Sequence, residues 1–300
     1  PLPEPVQPNQ SLTLEVQFEA KLPEIVERTG YSGSFHFVAQ WFPKLARLRP
    51  DGTWVHFAFH PQSEFFADFG DYAVTLDVPD SMKVGATGRR TVDRIADGRR
   101  VVQHEARAVH DFAWTAWDGF RERRERIADV DVRLLHPPGH DHNAEVTLEA
   151  LRFGLPHYEE RYGSYPYPVL TVVHPPEHAR RAGGMEYPTL IATGGPWYAG
   201  YGLRSVQAVT LHELAHQWFY GLVASDEHTW PFLDEGLTSY AEHVAMQELY
   251  GAGSLVDLPV LQIAAEHAAR AYALRFGPGQ RIASPAPDFP SFESIGAIVY

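Results

Sequence analysis

The strongest constraint on how this chain folds is a change of rhythm near residue 140. Before it, short runs alternate apolar and polar residues; after it, apolar residues recur at helical spacing. Ser11–Phe18 (SLTLEVQF), Ser34–Val38, Thr53–Phe59, Tyr72–Val78 and Arg99–Glu105 read as strands, since alternate side chains of a strand face opposite sides. Pro50-Asp51-Gly52 and Ala96-Asp97-Gly98 are turn signals between them. Many short strands joined by turns predict an antiparallel saddle or sandwich. His136-Pro137-Pro138-Gly139-His140 reads as a linker. Beyond it Ala144–Tyr162 is expected to be helical, with a break or kink at Pro156. Val169–Val173 reads as a strand, and helices are expected across 205–223, 234–250 and 255–275. The fold class is α+β, with an N-terminal antiparallel β domain over 1–138 and a mostly helical, mixed α/β domain over 139–300.

Composition narrows the function classes. The net charge of −13 argues against nucleic acid and against an anionic membrane surface, both of which need clustered Lys and Arg. No apolar run reaches the roughly 18 residues of a membrane span. There is no cysteine, which removes disulfides, thiolate metal sites and cysteine nucleophiles together. The compartment stays open, with an extracytoplasmic one favoured over the cytoplasm. The first residue is Pro1 rather than Met, which reads as processing or trimming.

Chemistry concentrates in Thr210-Leu-His-Glu-Leu-Ala-His-Gln-Trp, which contains H-E-x-x-H. On a helix, positions four apart share a face, so His212 and His216 can both point a ring nitrogen at one metal ion. Glu213 is rotated by about 100° and sits beside the metal, where a general base for water belongs. Leu211, Leu214, Ala215, Trp218 and Phe219 flank the motif, as expected of a helix lining a core rather than one carrying two surface histidines. A catalytic zinc takes three protein ligands and keeps a fourth position open. Glu235 follows His216 after eighteen residues, room for one helix to end and another to begin facing it. Glu242 is seven residues further, on the same face; it either orients a ligand imidazole or is an ordinary helix carboxylate.

This pattern resembles the gluzincin aminopeptidases, the aminopeptidase N and leukotriene hydrolase family. Gly183-Gly184-Met185-Glu186-Tyr187 is similar to the family's G-x-M-E-N strand. The resemblance implies a thermolysin-like catalytic domain and one Zn²⁺ per chain, held by His212, His216 and Glu235. It implies that Glu186 holds a substrate's free ammonium, while Gly183, Gly184 and Met185 pair with its backbone. The alternative for Glu186 is a strand-end carboxylate that meets Arg180 or Arg181. The family also places a tyrosine about 65 residues after the glutamate ligand to bind the oxyanion; Tyr300 stands at that step, the alternative being a chance helix aromatic. Ala39–Arg47 is similar to the family's T-Q-x-[EQ]-P-x-x-A-R stretch, with Phe42 where a polar anchor is usual, so Gln40 is the expected substitute. The chain resembles the front portion of a longer member, which a C-terminal fragment or a second chain would complete.

The expected function is a zinc peptidase acting on peptides, most specifically an aminopeptidase. A thermolysin-type endopeptidase and a non-catalytic peptide-binding member of the fold are the alternatives. His136, His140, His142 and His174 are read as surface residues rather than a second metal site, and Asp111–Phe120 as strand core and domain interface.

Overall fold

The computed structural model describes residues 4–25, 28–58, 60–63, 66–195, 200 and 202–300. In the first half, β1 (Gly30–Ser32) and β2 (Phe35–Val38) form a hairpin, and β3 (Arg47–Leu48) pairs with β4 (Trp54–Val55). Then come β5 (Gly70–Pro79), β6 (Lys83–Ala86), β7 (Arg89–Ala96), β8 (Arg99–Val109), β9 (Trp114–Trp117), β10 (Arg121–Ile127) and β11 (Val130–His136). Two antiparallel sheets result, ordered β1-β2-β9-β6 and β5-β8-β7. Asp97 and Gly98 join β7 to β8 with φ of 52° and 73°, the paired positive values that a tight hairpin turn needs.

Two expected strands change. Ser11–Phe18 is irregular; Leu12, Leu14, Val16 and Phe18 are 50%, 63%, 57% and 48% exposed. Alternation names the two faces of a strand but supplies no neighbour, and no ladder holds this segment among the described residues. The run at 53–59 shortens to Trp54–Val55, and residue 59 lies outside the described residues.

The second half is built on one mixed sheet, ordered β10-β11-β12-β13, where β12 is Val169–Val173 and β13 is Leu190–Ala192. β12 runs parallel to both β11 and β13, while β10 is an antiparallel edge. A parallel pair needs a crossover, and α1 (Asp141–Tyr162) supplies it between β11 and β12. The proline-rich run at 136–140 is therefore a short strand-to-helix turn inside this unit, not a free linker. α1 continues through Pro156 without a break, its buried Leu151, Leu155 and Tyr158 clamped into the core.

His136, His140 and His174 are not surface residues. They are 1%, 5% and 1% exposed, at the point where β11 and β12 end and α1 begins; His142 alone of the four is exposed. α2 (Ser205–Phe219) and α3 (Glu235–Tyr250) then pack with α1 over the sheet, around Leu170, Val172, Leu211, Leu214, Trp218 and Ala245. The expected helix over 255–275 starts later. Residues 256–263 form a hairpin of β14 (Val256–Leu258) and β15 (Leu261–Ile263), because Pro259 cannot donate a helical hydrogen bond. α4 (Ala265–Phe276) follows, and α5 (Phe292–Ile298) brings the chain to Tyr300. The architecture is mixed α and β with antiparallel sheets, as expected of the α+β class. Phe112 and Phe120 of the aromatic stretch are buried in the core.

Candidate active site

α2 carries His212, Glu213 and His216, and α3 begins at Glu235. The packing of these two helices closes a triangle of ligand atoms. His212 Nε2 lies 3.1 Å from Glu235 Oε2 and 3.2 Å from His216 Nε2, and His216 Nε2 lies 3.3 Å from Glu235 Oε2. Three ligands placed tetrahedrally around an ion about 2 Å away stand roughly 3.3 Å apart. The donor set therefore fits zinc in spacing and in chemistry, two imidazoles and a carboxylate.

Each imidazole is aimed from behind. His212 Nδ1 faces Glu242 Oε2 at 3.2 Å, which puts a carboxylate behind this ring. His216 Nδ1 faces Asp234 Oδ1 at 2.6 Å, with the Thr238 hydroxyl at 3.1 Å. Asp234 was not singled out from the sequence. An acid just before a helix reads as a cap, yet Asp234 makes no capping hydrogen bond and spends its carboxylate on His216. Its only signal is adjacency to Glu235.

The charges of the site follow from burial set against pairing. Burial disfavours a charged His212, but hydrogen bonds with Glu235 and Glu242 overcome it and hold the ring at about 10. His216 is likewise held well above the usual imidazole range, as Asp234 and Glu235 outweigh its burial. Glu235 is pulled below the usual carboxylate range by His216 and His212 against its burial, while burial pushes Asp234 up. Positive charge is thus favoured where the three ligand atoms meet, and a cation there displaces the ring protons. Burial raises Glu213 to about 7, near neutrality. Its Oε2 is buried with no hydrogen-bond partner among the described residues.

The segment 183–187, bridged to β13 at Met185, supplies the facing wall. Met185 pairs with Ala192 on β13 through hydrogen bonds of 3.1 and 2.7 Å, so Gly183 to Glu186 run along that sheet's edge. Met185 and Tyr187 are buried in an apolar cluster with Phe37, Ala39 and Leu190. Alternation then sends Glu186 to the other side. Its carboxylate comes within 4.8 Å of ligand atoms of Glu213 and His216. Gly184 has φ of 70°, which a side-chained residue rarely adopts, and stands opposite Glu213. Gln217, next after His216, ties this segment to the metal helix. Its Nε2 donates to the carbonyls of Glu186 and Tyr187 at 3.3 and 3.2 Å, and its Oε1 accepts from Thr189 N–H at 2.8 Å.

Tyr300 reaches the site through a close approach of backbones. A Cβ on Gly236 would sit 2.8 Å from Val299 O, so only glycine after Glu235 admits the end of α5. The Tyr300 hydroxyl donates to Glu235 Oε1, and its ring stacks on His212 with 10° between planes. A cavity of about 300 Å³ collects His212, Glu213, His216, Glu235, Glu186 and Tyr300. Gly183, Gly184, Phe292, Arg28 and Arg181 complete its lining. Arg181 is one of the two arginines weighed as a partner for Glu186, and it does share the cavity; Arg28 went unnoticed in the sequence, where an isolated arginine carries no spacing signal. Gln40 does not line this cavity; its amide is held by Asp111 Oδ2 at 2.5 Å and by Lys44 at 2.8 Å.

An H-E-x-x-H helix completed by a glutamate from the next helix is the gluzincin arrangement. A profile described as the peptidase family M1 domain matches residues 145–274, a span that includes Glu186 and the ligand triad. Over 136 residues the chain is 26% identical to probable aminopeptidase 2 of Sulfurisphaera tokodaii, covering 44% of this chain and 17% of that protein. Over 150 residues it is 30% identical to aminopeptidase 2 of Candida albicans, covering 47% of this chain and 15% of that protein. Aminopeptidase M1-B of Oryza sativa is 27% identical over 138 residues, covering 41% and 15%. The matched stretch thus spans less than a fifth of each relative. Over residues 145–274 the chain is similar to the gluzincin class of peptidases, and within it to peptidase family M1.

Proposed function

We propose that this chain carries the catalytic centre of a zinc aminopeptidase, which removes N-terminal residues from peptides. The observation that carries the proposal is that Glu186 shares one small cavity with the His212–His216–Glu235 triangle. A zinc ion held by that triangle supplies a Lewis acid for the scissile carbonyl and lowers the pKa of water toward neutrality. Glu213, held near 7 by burial, takes the proton of the attacking water and passes it to the leaving amine. The Tyr300 hydroxyl turns from Glu235 to donate to the developing oxyanion. Glu186 binds the substrate ammonium, and the edge formed by Gly183, Gly184 and Met185 pairs with the peptide backbone, converting binding energy into position. Phe292 and Tyr300 form the apolar part of the wall.

Two measurements test this reading: zinc per chain by elemental analysis, and hydrolysis of matched peptides with free and acetylated N-termini. One zinc per chain and loss of the acetylated substrate are expected. Equal cleavage of both would favour a thermolysin-type endopeptidase. Absence of stoichiometric zinc and of turnover would favour a peptide-binding member of the fold.

A further inference from the structure

Behind His216 stands a carboxyl group of which only one oxygen is spent on the ring. Asp234 is fully buried and turns Oδ1 to His216 Nδ1 at 2.6 Å. Its Oδ2 is also buried and meets no N–H or hydroxyl group among the described residues. Glu227, which is 2% exposed, also hydrogen-bonds Asp234 through its side chain. Glu227 does not line the metal cavity. It lines a small neighbouring one with Asp234, Glu235 and Arg28.

Two carboxylates offer each other acceptors only, so a bond between these acids holds one proton. Burying two like charges side by side favours keeping that proton. His216 decides which acid carries it, because an acid that faces a ring N–H is the better anion. Burial pushes Asp234 up, while the contacts with His216 and the bond from Glu227 act to lower it, as donors to a carboxylate do. Glu227 is thereby left with the proton. Its loop is fastened on both sides. Before it, Asp226 Oδ2 accepts from the Thr229 hydroxyl at 2.9 Å and Asp226 O from Trp230 N–H at 2.7 Å. After it, His228 O accepts from Ala286 N–H at 2.9 Å, and the His228 ring stacks on Phe57 with 3.9 Å between centroids. Ties on both neighbours give Glu227 a fixed address beneath α3.

We propose that Glu227 is a positioning residue for the metal centre: its carboxyl O–H donates to Asp234 Oδ2 and thereby keeps Oδ1 aimed at His216. Glu227, Asp234 and His216 then form a relay of three side chains that ends on the ion. The metal part of this inference rests on the zinc reading above; the proton between the two acids does not. Arg28 is the rival partner in the small cavity, since an ionised Glu227 neutralised by Arg28 has no hydrogen to give Asp234.

The full chain, Glu227→Gln and Glu227→Leu test this by two measurements. The first is the infrared difference spectrum of zinc-free wild type against Glu227→Gln at neutral pH. The carbonyl stretch of a protonated carboxylic acid is expected in wild type and missing from the variant; no such band would overturn the proposal. The second is zinc affinity by competition with a chelator. Glu227→Gln keeps an N–H donor for Asp234 and should bind zinc within about threefold of wild type. Glu227→Leu keeps the size without the donor and should bind about tenfold or more weakly. Rescue by the amide but not by leucine separates aiming from packing. Equal affinity of the two variants, whether both weak or both tight, would overturn the positioning role. If Glu227→Leu fails to fold, the infrared band and Glu227→Gln still decide: zinc weakened tenfold or more in Glu227→Gln overturns the proposal. Wild type that binds no zinc would overturn the zinc reading itself, while the band still decides the proton.

Discussion

Two groups of histidines lie deep in this molecule and behave in opposite ways. His212 and His216 each turn one ring nitrogen to a carboxylate, Glu242 or Asp234, and both are held above the ordinary imidazole range. His136, His140 and His174 gather at the junction of β11, β12 and α1. There His136 meets a backbone carbonyl and His174 the Thr147 hydroxyl. Burial lowers all three, His174 to about 3. Depth is common to both groups; a hydrogen-bonded carboxylate behind each ring marks the first. Burial alone makes a neutral imidazole that fills a core, whereas burial with an aimed carboxylate makes a basic, oriented ligand.

The contrast can be broken or sharpened experimentally. The largest effect is expected from Glu213→Gln, which keeps the triangle and removes the base: kcat should fall by about 10²–10⁴-fold with zinc content unchanged, read by steady-state kinetics and elemental analysis. Tyr300→Phe should lower kcat by roughly 10²–10³-fold with little change in KM, because its hydrogen bond is assigned to the transition state. Asp234→Asn or Glu242→Gln should weaken zinc by about 10–100-fold in a competition titration with a chelator, while His140→Gln leaves zinc affinity as it was. If His140→Gln releases the metal as readily, the two groups are not distinct.

The smallest effect concerns pH. His174 titrates near 6.5 when unfolded and near 3 when folded, so below 6.5 the unfolded chain takes up the extra proton. Its contribution is fully present above 6.5 and is lost as pH falls toward 3. At pH 5 that is about 2 kcal/mol, readable from urea midpoints at pH 7 and 5. His174→Phe should flatten this dependence in the zinc-free protein, and an unchanged slope would show that other groups govern it.

Much of this was legible in the chain. Glu235 was singled out because one loop length separates it from His216, and Glu186 because Gly183–Tyr187 resembles a family motif at a matching interval. Asp234 was hidden by its second meaning as a helix cap. The junction histidines were misread because Pro137, Pro138, Pro175 and Pro176 suggest surface loops, and nothing local reveals that two strand ends meet a helix start there. Ser11–Phe18 shows the converse, a good strand pattern without a neighbour. Local pattern reports which way a side chain faces. Only the assembled sheet decides whether anything is there to meet it.

Gln217 gives the proposed reaction its length scale. One amide spans from the metal helix to the carbonyls of Glu186 and Tyr187, so the place that grips a peptide's end and the place that cuts it belong to one rigid gauge. In the proposed reaction the increment of digestion would then be a mechanical dimension of the protein, one residue per visit. A shorter bridge, as in Gln217→Ala, should blur that increment into a mixture of free amino acids and dipeptides.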